Sequence, residues 1–188
     1  MNTAKRMAAA IGLVAVAAVP QANAEPDDPS TWPVADSADY GATAGPGWVF
    51  FVPAGGAARG CGIGPDGTVG CDIVVPRNDD GSVVQWGAPG PPGYYSCNFP
   101  GQEQLDCPLP PPGTNQIVAD PWRPARYVQS TALNFTRDLG VLAPGYRLLN
   151  GGASCYVAGA SPGGVTCKTG DNGFHWSAAG GILEYSDR

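Results

Sequence analysis

Three pairs of cysteines, each mirrored about a turn, constrain this chain more than any other feature. The six cysteines are Cys61, Cys71, Cys97, Cys107, Cys155 and Cys167. Sequence neighbours enclose nine, nine and eleven residues, so each pair is symmetric about a single residue: Asp66, Gln102 and Ser161. Turn chemistry stands at each centre: Pro65-Asp66-Gly67, Pro100-Gly101, and Ser161-Pro162-Gly163-Gly164. Folding the first stretch about Asp66 sets Cys61 opposite Cys71 and Ile63 opposite Val69. Side-chain alternation puts those four on one face and Gly62, Gly64, Thr68 and Gly70 on the other. About Gln102 the apolar face holds Cys97, Phe99, Leu105 and Cys107. About Ser161 it holds Cys155, Val157, Val165 and Cys167.

The pattern Cys-x-apolar, turn, apolar-x-Cys thus occurs three times. Opposed residues in an antiparallel pair lie ~4.5–5.5 Å apart, within the span a disulfide bridges. The expected pairing is Cys61 with Cys71, Cys97 with Cys107, and Cys155 with Cys167. Each staple is worth about 2.5–3 kcal/mol by chain entropy. A zinc site calls for closer cysteine spacing and several histidines, whereas the chain has one histidine. A thioredoxin-like couple calls for two intervening residues, not nine.

Disulfides imply export, and the N-terminus agrees. Lys5 and Arg6 precede the short apolar run Met7 to Val19, Pro20 ends it, and Ala22-Asn23-Ala24 is a small-x-small cleavage pattern. Residues 1–24 are therefore expected to be a signal peptide. The run falls short of the ~20 apolar residues that span a bilayer, so no membrane insertion is expected after cleavage. Losing Lys5 and Arg6 would take the formal charge from −6 to −8, which disfavours nucleic acid and anionic membrane surfaces.

Residues 25–46, acidic and rich in Pro, Ser and Ala, are expected to form a flexible leader. Residues 47–188 are expected to form a single all-β domain, a sandwich or barrel of stapled antiparallel hairpins. Strand-like runs are GWVFFVPA, CDIVVP, SVVQWG, YYSCNF, RYVQST, YRLLNG, GFHWSA and GILEY. Only residues 130–142 offer room for a helical turn or two. Residues 108–124 are expected to be a Pro-rich crossing that runs over the surface.

In the C-terminal half, LLNGGASC (Leu148 to Cys155), GGVTC (Gly163 to Cys167) and GFHWS (Gly173 to Ser177) form a recognisable set. With FFVPAG and CGIGPDGTVGCDI (Phe50 to Ile73), it resembles uncharacterised exported proteins of mycobacteria and related actinobacteria. The heavy use of Gly, Ala and Pro, with Arg preferred to Lys, is consistent with that source. The resemblance covers about half of the mature chain and implies secretion, disulfides and no established activity. It departs where such proteins often carry His just before Gly-Phe: here Asn172 precedes, and His175 follows Phe174.

Chemistry-bearing residues are few. His175 is the one side chain suited to acid–base work near neutral pH, but on a strand between Phe174 and Trp176 a place on a sheet face is the plainer reading. Asp79-Asp80-Gly81 and Asp171-Asn172-Gly173 read as turns without the oxygen spacing of a calcium loop. Trp86, Tyr94, Tyr95 and Trp122 flank Pro/Gly-rich segments and are candidates for binding a sugar ring or a proline-rich peptide. No cofactor or metal is expected. The reading is a secreted or cell-envelope binding module whose partner is an envelope carbohydrate or a protein. Two alternatives stand beside it: a small secreted hydrolase using His175 or a carboxylate pair, and a secreted effector or inhibitor of a partner protein.

Overall fold

A computed structural model describes residues 28–41, 46–75, 77–80, 94–97, 105–129, 133–136, 140–158, 164–177 and 181–186. For residues 94–97, 105–108 and 181–186 it describes the backbone alone. The strands are β1 (Val49–Pro53), β2 (Gly60–Ile63), β3 (Val69–Asp72), β4 (Tyr94–Cys97), β5 (Leu105–Pro108), β6 (Gln116–Asp120), β7 (Arg123–Val128), β8 (Val141–Leu142), β9 (Arg147–Asn150), β10 (Ala153–Val157), β11 (Gly164–Thr169), β12 (Asn172–Ser177) and β13 (Gly181–Ser186). Helical structure among the described residues is limited to 3-10 turns of three or four residues. The all-β expectation holds.

The strands form a six-stranded sheet in the order β7-β6-β3-β2-β1-β8, a five-stranded sheet in the order β13-β12-β11-β10-β9, and the separate pair β4-β5. Strand β2 stacks on β10, β3 on β11, and β6 and β7 on β12, making a sandwich. Its core is built by the two stapled hairpins. Cys61 lies opposite Cys71 and Ile63 opposite Val69, while Cys155 lies opposite Cys167 and Val157 opposite Val165. Both disulfides form, with Cα atoms 4.0 Å and 4.1 Å apart. All eight side chains are fully buried, so the apolar faces of the two hairpins meet as the interior of the sandwich.

The first turn is a three-residue loop at the expected Pro65-Asp66-Gly67. Gly64 N donates to Thr68 O at 2.7 Å, and Gly67 takes φ +83°, a conformation that glycine adopts without strain. Asp66 braces it by accepting from Thr68 N and Thr68 Oγ1, both at 3.0 Å.

The opposite face of this hairpin is not a solvent face. Gly62 and Gly70 lie under the ring of Phe135, Gly62 also under Phe50, and Gly64 under Trp48. Trp48 stacks on Phe50 at 5.6 Å between centroids and lies 6.1 Å from Phe135. The run of glycines is thus a floor on which aromatic rings sit directly against backbone. Phe50 and Phe135 are buried there, giving the six-stranded sheet a small second core.

Four expectations need correction. Residues 28–41 do not behave as a leader: Trp32 and Tyr40 are buried, Val34 bridges Arg147 at the edge of β9, and Gly41 bridges Val49 of β1. Asp28 and Asp36 cap its two 3-10 turns, and the segment closes the sandwich between the edges of the two sheets. Aromatic anchors override the acidic, proline-rich composition.

Within 108–124, residues Gln116–Asp120 form β6, an interior strand with Ile117 and Ala119 fully buried. The prolines lie outside this strand, whose ladder with β3 is regular while that with β7 shifts register between Val118 and Asp120. The described parts of 130–142 carry no helix; β8 instead pairs in parallel with β1.

Finally, the β4–β5 ladder sets Cys107 opposite Tyr95 and Cys97 opposite Leu105, two residues away from the expected register. The Cys97–Cys107 side chains lie outside the described residues, as do the signal peptide at 1–24 and the SVVQWG strand.

Candidate functional site

Four tight turns gather at one end of the sandwich: Pro65–Gly67 between β2 and β3, Pro121-Trp122 between β6 and β7, Gly151-Gly152 between β9 and β10, and Gly170-Asp171 between β11 and β12. Antiparallel pairing forces them to one end, because Val69 pairs with Ala119 in one sheet and Ala153 with Thr169 in the other. Side-chain amides lock the cluster across the sandwich. Asn172 Nδ2 donates to Asp120 O and Pro121 O, each at 3.2 Å. Asn150 Nδ2 donates to Gly47 O at 2.6 Å and Ile63 O at 2.9 Å.

Trp122 stands out from this base with 76 % of its surface exposed. Its turn is held by the buried Asp120, whose Oδ1 accepts from Trp122 N at 3.2 Å. The other oxygen, Oδ2, accepts from Arg123 Nε at 2.9 Å and Arg126 Nη2 at 3.2 Å. Burial pushes the Asp120 carboxyl up, but the Arg123 and Trp122 hydrogen bonds and the Arg123 charge outweigh it and hold the group below the usual carboxylate range. A charged, hydrogen-bonded Asp120 fixes the backbone from which the indole projects. A large aromatic side chain on a rigid turn binds at low entropic cost, because little is left to order.

Of the aromatic residues singled out in the sequence, Trp122 is therefore exposed at a locked turn. Tyr94 and Tyr95 belong to β4, of which only the backbone is described, and Trp86 lies outside the described residues. Sequence reasoning missed Asp120 and Asn172 as the clamps. The signal available was the Asp-Pro-Trp-Arg run, a turn sequence followed by alternation at Arg123 to Tyr127, hidden by the surrounding prolines.

His175 sits elsewhere, on the outer face of the five-stranded sheet. It pairs with Thr166 of β11, which pairs with Tyr156 of β10. Thr166 Oγ1 and His175 Nδ1 are 2.9 Å apart, and Trp32 packs edge-on against Tyr156 at 5.4 Å. The imidazole lies over Gly164, where a Cβ would collide with the ring. Burial lowers its pKa from 6.5 to about 4, so it is neutral at pH 7 and a weak base. It is packed as part of a sheet face.

Since the unfolded chain binds this proton more readily than the folded one, stability is complete above pH 6.5 and falls as the pH drops toward about 4. The expected loss is roughly 2–3 kcal/mol. Urea midpoints measured across this range should fall in the native protein and stay flatter in His175→Gln; parallel profiles would refute the assignment.

Among the described residues no three His, Cys, Asp or Glu side chains gather to hold a metal ion. Comparisons with protein-family models, curated proteins and solved structures give no match.

Proposed function

We propose that this chain is an exported, non-catalytic binding module of the cell envelope or extracellular space, and that the turn end of its sandwich seats the partner with Trp122 as the anchor. The observation that carries this is a largely exposed tryptophan on a turn held from both sheets. Solvent exposure of so large an apolar surface is uncompensated in the free protein, and covering it with a sugar ring or an apolar side chain is favourable. An envelope carbohydrate is the first partner class, since Arg123, next to Trp122 in the chain and 66 % exposed, offers guanidinium N–H groups to ring hydroxyls. A protein partner is the second.

Export is supported by two buried disulfides and by the N-terminal pattern at 1–24. Among the described residues no helix is long and apolar enough to cross a membrane. Export predicts a secreted form whose N-terminal residue is Glu25, readable by intact-mass analysis.

The binding reading is tested with Trp122→Ala on arrays of envelope polysaccharides and on immobilised envelope proteins. Retention should drop about ten-fold or more, while the unfolding free energy changes by no more than about 0.5 kcal/mol, because the side chain packs against little. Equal retention by Trp122→Ala and the native chain would sink the proposed role of this turn.

A further inference from the structure

The end of the six-stranded sheet opposite Trp122 carries a groove that no part of the preceding reading uses. Its hollow of about 480 Å³ lies where β2 begins, β3 ends and β6 begins. Arg59, Arg77, Asn115, Asn134 and Thr136 line it, with Asp72 at its base. A second hollow of about 410 Å³ shares Arg77 and Asn115 and extends it toward Gln129. This size is that of a small-molecule pocket.

The groove is preformed. Arg59 N donates to Asp72 O at 2.9 Å, Ile73 N to Asn115 O at 2.9 Å, and Asn115 N to Val128 O at 3.2 Å, so its walls are continuations of the sheet ladders. The segment carrying Asn134 and Thr136 is tied down by Asp72. Its Oδ2 accepts from Thr136 N at 2.6 Å and Thr136 Oγ1 at 2.7 Å, and its Oδ1 accepts from Gln116 Nε2 at 2.6 Å. Asp72 is the one carboxylate among the described lining residues, and these three donors already occupy both of its oxygens.

Donors dominate the rest of the described lining. Arg59 is exposed, and its guanidinium has no hydrogen-bond or ion-pair partner among the described residues. Asn134 uses its Oδ1 to accept from Thr136 N at 2.8 Å, which leaves the amide nitrogen to donate. Two guanidinium groups and side-chain amides thus line a groove whose Asp72 carboxylate is already hydrogen-bonded through both oxygens, in a chain of net charge −6.

We infer that this groove binds an oxyanion, a carboxylate or a phosphate, carried on a molecule of about sugar size. The Arg59 and Arg77 guanidinium groups grip the anion, and the Asn115 and Asn134 amides read the adjoining hydroxyl or carbonyl oxygens.

The test is amide-resonance titration of the mature protein with glucuronate, glucose 6-phosphate and glucose at millimolar concentrations. At least one anionic probe should shift Arg59, Val74 and Asn115 and bind at least about ten-fold tighter than glucose. Whichever of the two binds tighter identifies carboxylate or phosphate as the preferred group. Arg59→Gln and Arg77→Gln should each weaken that probe about ten-fold, Arg59→Gln with an unchanged melting temperature. Added salt should weaken it in the native protein. The inference fails if glucose binds as well as both anions, if none of the three binds, if the shifts cluster away from the groove, or if neither arginine variant nor salt changes the affinity. Trp122→Ala should leave this binding intact, which separates the result from the fate of the reading built on that turn.

Discussion

Gly70→Ala should unfold about 2–3 kcal/mol more easily than the native chain, an effect far beyond the ordinary cost of a methyl group. The reason is the aromatic floor. A Cβ on Gly70 would lie 2.7 Å from Phe135 Cε2 and 3.1 Å from Ile117 O, and would meet Cζ more closely still. The Phe135 ring is hemmed in by Trp48 on one side and Gly62 beneath. Accommodation must therefore lift the ring or bend β3 away from β6.

The same argument makes a coupling prediction. Phe135→Ala alone should cost about 3–4 kcal/mol for lost burial and the void left behind. The double variant should cost at least about 1 kcal/mol less than the two together, because removing the ring removes the clash. Equilibrium urea unfolding of the four proteins under oxidising conditions measures this directly. Strict additivity, or a neutral Gly70→Ala, would show that the glycines are not there to admit the rings.

The second large effect belongs to the staples. Replacing Cys61 and Cys71 together by alanine, or Cys155 and Cys167 together, should each lower stability by about 2.5–3 kcal/mol through the freed unfolded chain. Removing both pairs should cost about 5–6 kcal/mol, a large share of the 5–15 kcal/mol typical of a whole domain. All four sulfurs are fully buried in the interior of the sandwich. Reductant should therefore reach them only through opening of the fold, and thiol labelling of the native protein should track global unfolding. Peptide mapping of the oxidised protein should join Cys61 to Cys71 and Cys155 to Cys167. A bridge from one hairpin to the other, or unchanged melting in reductant, would contradict this account.

Both predictions test how far the residues alone could be read. The stapled hairpins were legible because every interaction that defines them is local. Cys61 and Cys71 pair across ten positions, Cys155 and Cys167 across twelve, and a two-residue alternation then assigns Ile63, Val69, Val157 and Val165 to one face without knowledge of anything else. The β4–β5 pair shows the limit of that symmetry. Its register depends on more than the position of its cysteines, and it settled two residues from the symmetric choice.

The candidate site was half legible. Trp122 stood out by type and by its neighbouring proline, but its exposure rests on Asn172, some fifty positions away, and on an aspartate bonded to two arginines. His175 stood out as the only histidine, yet its low pKa follows from burial beside Thr166 and over Gly164.

Residues near one another along the chain could thus declare the hairpins, the turns between them and the side that turns inward, because chain connectivity and side-chain alternation act within a dozen positions. Tertiary assembly alone chose what covers the glycine side, where residues 28–41 and β6 are seated, and which donors meet in the groove around Asp72. Those arrangements join groups 44 to 115 positions apart, as in Gln116 with Asp72 and Arg147 with Trp32. At such separations a contact is selected by the fit of whole surfaces, and no short pattern of residue types encodes that fit.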